Sequence, residues 1–473
     1  MQADEIAQIV NEVLKRLETT PGPTSAGSRA DGVVHSTVDS AVRSAAAAQE
    51  VFQELGLEKR REIIKALRKT ALVNAERLAR MAVEETGMGR VADKIRKNQV
   101  CALKTPGPED LQSKCFTGDR GLTLVEWGPY GVVAAITPST NPVATIINNT
   151  ISILSAGNAV VFSPHPASAK CTAETMRLFD DAIAAAGGPR GLITTIQPAS
   201  QDTTKQLLAH PTPRVNMVTG GPAIVRVAMT VGKTCKTIAA GPGNPPAVVD
   251  ETAQFPKCAQ DIIFGASFDN NVLCTAEKEV IVTQAARERF LNSMRADRRA
   301  YELSSQQIDA LCKVVIKEGG KGCKDPVLNR EFVGKDAAFI AKKAIGLDIG
   351  EARLIWAEVP NDHPLVWTEQ LMPVLPVTVV KDVDAAIDLA YWVEGENHHT
   401  ASMHSMNVEN LTKMARRMQC SIYVKNGPTL MGLGLGEGYA TMSIGTPTGD
   451  GLTKASHFAR PLHCALVDQF RIA

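Results

Sequence analysis

Ten cysteines are scattered through the chain, at 101, 115, 171, 235, 258, 274, 312, 323, 420 and 464, with no Cys-x-x-Cys pair of the kind that builds a zinc ribbon or a redox couple. The default reading of such thiols is reduced, small and buried. Cys274 stands apart by its setting. It ends the stretch Asn271-Val272-Leu273-Cys274 and leads into the strand-like run Glu279-Val280-Ile281-Val282. A cysteine at a loop-to-strand junction, downstream of a long α/β pattern, is placed to act as a nucleophile on a carbonyl carbon.

Nucleotide chemistry is less plainly written. There is no Gly-x-Gly-x-x-Gly fingerprint: Gly432-Leu433-Gly434-Leu435-Gly436 has the wrong spacing, follows no convincing strand and reads as a mobile loop. Gly232-Lys233-Thr234 lacks the glycine that would close a phosphate loop. Val218-Thr219-Gly220-Gly221-Pro222 is a better candidate, a strand end whose glycines open a helix and could turn free N–H groups toward a pyrophosphate. His398, His399 and His404 invite a metal reading, but i, i+1, i+6 spacing on a strand sends the first two to opposite faces, and no metal is expected.

These residues need a large scaffold, and 473 residues, 44% of them hydrophobic, supply cores for two or three units. A net charge of +1 leaves no field to hold nucleic acid or an anionic membrane. No apolar run is long enough to cross a bilayer and no secretory signal opens the chain, so a soluble, cytoplasmic protein is expected. Ile6, Ile9, Val10, Val13, Leu14 and Leu17 line one face of an amphipathic helix over 1–18, and the Pro/Gly/Ser-rich stretch that follows, 19–35, reads as a flexible connector. Alanine-rich helical patterns run from Ser36 to Gly87. From Gly131 the pattern alternates, with GVVAAITP, NAVVFSP, GLITTIQP and RVNMVTG as continuous apolar strands, which is what a parallel sheet covered on both faces requires. A second α/β pattern follows Gly243, with AVVD, KEVIVTQ, LPVTVV and TASMHS, and LHCALVDQFRI near the C-terminus is strand-like.

Taken together, ITPSTNP, SPHP, VTGG, AAGPGN and the Cys274 segment make the chain, from about Val34 to its end, resemble the coenzyme-A-acylating aldehyde dehydrogenases of bacterial microcompartments that act on propionaldehyde or acetaldehyde. The resemblance implies an aldehyde dehydrogenase-like α/β fold: a Rossmann-type cofactor domain over 36–240 with a strand element at about 115–130, a catalytic domain over 241–426, and a return to the cofactor domain with a C-terminal oligomerisation strand over 427–473. On it Cys274 matches the nucleophile and Asn141 the oxyanion amide, although Asn141 before Pro142 would otherwise be a turn residue. Glu369, in Thr368-Glu369-Gln370-Leu371-Met372-Pro373, matches the carboxylate that holds the nicotinamide ribose; without that context it reads as a solvated loop residue. The cofactor site is expected around Thr137, Pro138, Ser163, His165, Pro166, Thr219, Gly220, Gly221, Ala239 and Gly241. NAD is the family expectation; Ser163 and Pro166 replace the lysine and glutamate that hydrolytic relatives place near the adenosine ribose, so NADP stays open.

Ala239 is the other departure, because hydrolytic relatives carry a glutamate base there. The expected chemistry is attack of Cys274 on a short-chain aldehyde, hydride loss to the cofactor, and transfer of the acyl group from the thioester to coenzyme A, reversibly. A useful thiolate fraction would need an electropositive setting, from a bound nicotinamide and helix N-termini. Expected partners are the aldehyde, coenzyme A, a shell protein of the compartment bound through residues 1–18, and further copies of the chain as dimer or tetramer. Two rivals remain, a hydrolytic enzyme releasing carboxylate and a non-catalytic shell-binding scaffold.

Overall fold

In the computed structural model, residues 32–472 are described; the helix expected over 1–18 and most of the 19–35 connector lie outside the described residues. Two parallel sheets carry the α/β part. Every residue of the strands Val132–Thr137 and Ala159–Pro164 is buried, and they pair in parallel register, Val133 beside Val160 and Ile136 beside Ser163. Side chains buried on both faces explain why these segments show continuous apolar runs rather than alternation. Val34–His35, Ile193–Ile196, Val215–Thr219 and Lys236–Ala240 complete a six-stranded sheet.

The helix Pro142–Ser155 between the first two of those strands is buried along its whole length. It has no polar face to offer water, so its asparagines must be satisfied internally. Asn148 does so by donating to Thr105 Oγ1 at 2.9 Å and accepting from the Met442 N–H at 3.0 Å. Ile146, Ile147, Ile151, Ile153 and Leu154 are fully buried, each worth about 1.5–3 kcal/mol relative to an exposed side chain.

A seven-stranded parallel sheet follows, drawn from residues between Pro246 and Lys425, with the strand Glu279–Thr283 at its centre between Pro246–Val249 and Val374–Val380. The third layer is antiparallel. Gly121–Pro129 lies between Lys114–Gly118 and the C-terminal strand Ala459–Val467, whose outer residues Leu462, Leu466 and Val467 stand exposed.

The glycine run near 432 is not the mobile loop that its spacing suggests. Thr429–Leu433 forms a 3-10 turn, and Leu430 and Leu433 pack in one buried cluster with Phe268, Leu273, Ile422 and Ile444. Its leucines, not its glycines, decide its behaviour: they bury apolar area against the segment that carries Cys274. The histidine spacing argument also needs correction, since the strand begins only at Thr400 and His398 sits before it with φ 51°.

Candidate active site

After the edge strand Val34–His35, the chain lays down Val132–Thr137 in the six-stranded sheet, builds outward on one side to meet that edge, then returns to place Val215–Thr219 on the other. This reversal opens a crevice beyond the carboxyl ends of the two strands, the usual ligand position in such sheets. Thr137 and Pro138 lie at the end of one strand and Thr219, Gly220 and Gly221 at the end of the other. Gly221 starts the helix Pro222–Thr230 without any side-chain cap, and a β-carbon there would meet nothing within 4 Å. A helix start that open leaves unpaired N–H groups for an anion.

The remaining cofactor candidates ring the same edge in different states. Ser163 is buried and shares a hydrogen bond of 2.7 Å with Thr204, so its hydroxyl is already engaged inward. His165 and Pro166 are exposed; Arg330, from the second α/β segment, joins burial of the His165 ring in lowering its pKa. The Thr219 hydroxyl is 2.7 Å from that of Ser443. Ala239 is fully buried, its N–H donating to Thr448 Oγ1 at 3.2 Å, and Gly241 lies under Pro447.

Cys274 is presented by an unusual turn. After the helix Lys257–Ser267, three consecutive non-glycine residues adopt left-handed backbone, Asp269 at φ 48°, Asn270 at 54° and Asn271 at 60°. Such conformations are costly for L-residues and survive only when the surroundings fix them. Here every side chain of the turn is tied down. Asp269 accepts the Arg90 N–H at 2.7 Å and the Lys94 and Lys97 ammoniums; Asn270 donates to Gly334 O at 2.9 Å; Asn271 donates to Ala266 O at 2.8 Å and Glu277 O at 2.9 Å. The buried Lys278 ammonium then gathers the end of the turn, donating to Asn271 O at 3.0 Å and Leu273 O at 2.8 Å.

Among the described residues, burial dominates the electrostatics of the Cys274 thiol. Burial, and then Glu369, push the Cys274 thiol up to about 12, against the pull of Lys278 and Lys97. At pH 7 Cys274 is therefore held as a thiol. Glu369 is itself pushed up to about 7 by burial, moderated by Lys278 and by a hydrogen bond from the Gly243 N–H, while its Oε1 has no partner among the described residues. Gly243 lies between Cys274 and His399: a β-carbon there would lie 2.9 Å from Cys274 O and 2.9 Å from His399 Cγ. His399 is buried, and burial together with Lys278 lowers its pKa to about 4, so the ring is neutral at pH 7. Its Nδ1 is 2.9 Å from Thr400 Oγ1 and its Nε2 has no partner among the described residues.

Asn141 caps the start of the buried helix, with Pro142 as the first helical residue. Its Oδ1 accepts from Lys97, and its Nδ2 donates to Thr140 Oγ1 at 3.2 Å. Lys97 is the link between the two sequence-predicted catalytic residues, bonded to Asn141 and felt electrostatically by Cys274.

The aldehyde dehydrogenase family pattern matches residues 23–316, more than half of the chain. The chain belongs to the aldehyde dehydrogenase family. Among curated relatives of this aldehyde dehydrogenase is the acetylating acetaldehyde dehydrogenase EutE of Salmonella typhimurium, 45% identical with both chains covered in full. A propionaldehyde dehydrogenase from the fucose utilisation microcompartment of Clostridium phytofermentans superposes with a TM-score of 0.89 at 42% identity, over 94% of this chain and 100% of that one. A propionaldehyde dehydrogenase of Rhodopseudomonas palustris, solved with bound CoA and an acylated cysteine, gives 0.88 at 44% identity, over 93% and 99%.

Sequence reasoning passed over four residues of this dehydrogenase that its geometry brings forward. Lys97 and Lys94 sit on the helix Val91–Lys104, whose charged residues look in sequence like a solvated face. Asp269 sits in a left-handed Asp-Asn-Asn turn, and although these residue types favour such backbone, nothing local in the sequence shows that its partners are Lys94 and Lys97. His399 carried a signal, being adjacent to a strand of the second sheet, but was weighed only as a metal ligand.

Proposed function

We propose that this aldehyde dehydrogenase oxidises a short-chain aldehyde, propionaldehyde or acetaldehyde, to the acyl-CoA with NAD and coenzyme A, reversibly. One observation carries the reading: Cys274 lies within electrostatic reach of Glu369 and Lys278 and across Gly243 from a neutral His399, while the strand-end position where a hydrolytic base is expected holds Ala239. The full-length likeness to acylating enzymes supports it. The six-stranded part then holds the dinucleotide and the seven-stranded part the nucleophile.

The residues fit a nicotinamide dinucleotide: the uncapped helix start at Gly221 suits a pyrophosphate, and the buried, unpartnered Glu369 Oε1 suits a ribose hydroxyl. A bound nicotinamide supplies a hydride acceptor. Cys274, its thiol proton passing to solvent, attacks the aldehyde carbon, and the Asn141 amide with the Cys274 N–H stabilises the oxyanion, a contribution worth about 100 to 1,000-fold per donor. Hydride loss leaves the acyl group on Cys274 as a thioester. Coenzyme A then loses its thiol proton to solvent, its sulfur attacks the acyl carbon, and the Cys274 thiolate departs, while the neutral His399 ring across Gly243 keeps Nε2 open to hydrogen-bond the incoming group. Thr137, Pro138, Ser163, His165, Pro166, Thr219, Gly220, Ala239 and Gly241 shape the dinucleotide crevice.

Partners and place follow by the same reading. The exposed apolar side chains of Ala459–Val467 and Phe116 suit a contact with further copies of the chain, as dimer or tetramer. No helix among the described residues is long and apolar enough to cross a membrane. Residues 1–18 address the enzyme to a shell protein of a microcompartment, as their one-faced apolar pattern and the connector after them suggest.

Steady-state assays of C2 to C4 aldehydes, with NAD, NADP and coenzyme A varied separately, test the chemistry. Acyl-CoA is expected as product; carboxylate formed at equal rate without coenzyme A would refute it. Cys274→Ala should remove turnover and keep the melting temperature. Fusing residues 1–32 to a fluorescent protein should bring it into shells; uniform fluorescence in shell-producing cells would refute the address.

A further inference from the structure

The side chain of Lys97 is buried between two acceptors, Asp269 Oδ2 and Asn141 Oδ1. Asp269 does not depend on it for neutralisation, since Lys94 donates to the same oxygen at 3.1 Å and the Arg90 N–H to the other at 2.7 Å. Lys94 has a second bond of its own, to Thr140 O at 3.0 Å. The bond from Lys97 to Asn141 is thus the one polar contact of this group that reaches a residue of the proposed chemistry rather than backbone or counterion. Lys97 and Asn141 face a small cavity that Ala79, Ala82, Lys94, Asn98, Pro142, Val143 and Ala144 also line.

An asparagine amide is nearly symmetric in shape and opposite in chemistry at its two ends: oxygen accepts, nitrogen donates. An ammonium can only donate. With Lys97 charged, Oδ1 must face it and Nδ2 must face away; one Nδ2 hydrogen is used by Thr140 Oγ1, leaving the other for an incoming oxygen. With Lys97 removed, both amide orientations fit, and the flipped one turns a carbonyl oxygen toward the oxyanion. We propose that Lys97 is a positioning residue that locks the Asn141 amide with its donor toward the substrate before the aldehyde arrives. This rests on the reading of Asn141 as oxyanion donor to the Cys274 adduct. The charge is not assured at high pH, because burial lowers the Lys97 pKa to about 8 against the opposing pull of Asp269, with Lys94, Asp93, Cys101 and Cys274 as the other titrating neighbours.

The test is a double-mutant cycle on Lys97→Met and Asn141→Ala, read as the single-turnover burst of NADH without coenzyme A, with NAD affinity as control. Lys97→Met should slow the burst 10 to 100-fold in the wild-type background and less than threefold in the Asn141→Ala background, with NAD affinity unchanged within threefold. Lys97→Arg, which keeps a donor-only cation, should recover at least half of the loss on a logarithmic scale. A purely structural lysine would slow both backgrounds equally. Multiplicative losses, or a folded Lys97→Met enzyme within threefold of wild type, would overturn the inference alone. If the methionine variant does not fold, Lys97→Gln enters the same cycle under the same criterion. A wild type that forms no acyl-CoA, or a normal burst in Asn141→Ala, would overturn the functional reading and the inference with it.

Discussion

Replacing Gly243 with alanine puts one methyl group between Cys274, the proposed nucleophile, and His399. The backbone of Gly243 is not in the left-handed region, so the substitution brings no conformational strain; the cost is contact. The new β-carbon would sit 2.9 Å from Cys274 O, 2.9 Å from His399 Cγ and 3.0 Å from His399 Nδ1, each roughly half an ångström inside an ordinary contact of about 3.5 Å. Neither side yields freely. The Cys274 turn is held by Lys278 on Leu273 O at 2.8 Å, and the buried ring is held by Thr400 at 2.9 Å. Overpacking of this kind costs about 1–3 kcal/mol in stability. A displacement of about 1 Å can cost about 100-fold in rate, so half of it is worth about tenfold, or about 1.4 kcal/mol of barrier. We expect a melting temperature a few degrees lower, a slower NADH burst, and a larger loss in the coenzyme-A-dependent step, because the Cys274 and His399 displacements add there. Differential scanning calorimetry and stopped-flow absorbance measure these. A variant with wild-type stability and both steps within twofold would show that the two residues do not share the wall that Gly243 forms.

Two further outcomes are expected. Glu277 is buried with one carboxylate oxygen accepting the Thr429 N–H at 2.7 Å and the other unpartnered among the described residues; burial raises its pKa from 4.5 to about 7, so the folded state holds the proton more tightly than the unfolded chain. Its stabilising contribution is therefore present below about pH 4.5 and lost as pH rises to about 7, and Glu277→Gln should gain up to about 3 kcal/mol at pH 8 relative to its effect at pH 4.5; a pH-independent difference in unfolding free energy would contradict this. Ala239→Glu should raise the share of carboxylate over acyl-CoA by supplying a base, and an unchanged product ratio in a folded variant would mean that water is kept out by something other than the alanine.

The sheets were legible because burial on both faces demands unbroken apolar runs, and segments such as Val132–Thr137 and Glu279–Thr283 contain little else. The position of Cys274 between a helix and a central strand could be read from the same contrast. What surrounds it could not. Asp269, Asn270 and Asn271 are polar residues that sequence logic assigns to an ordinary turn, and their left-handed backbone depends on Arg90, Lys94 and Gly334, which are distant in the chain. Lys97 and Lys278 are buried cations whose partners are mostly loop carbonyls and carboxylates, and composition gives no warning of such pairs. The leucines of the glycine run were visible, but the cluster that buries them contains residues from four separate segments.

The antiparallel layer has a consequence for how the chain is made. Its middle strand, Gly121–Pro129, emerges from the ribosome well before its partner Ala459–Val467. The contact between Asn158 Nδ2 and Phe458 O, at 2.8 Å, closes a separation of 300 residues. At about 5–20 residues per second, one edge of that middle strand waits roughly 15–60 s with its N–H and C=O groups open to any other nascent strand. A polysome holds many copies of that same open edge close together. The final pairing is then a competition between a chain's own later strand and its neighbours, and slowing translation between the two strands, or deleting Ala459–Val467, should show up first as lost yield of soluble enzyme rather than as a weaker catalyst.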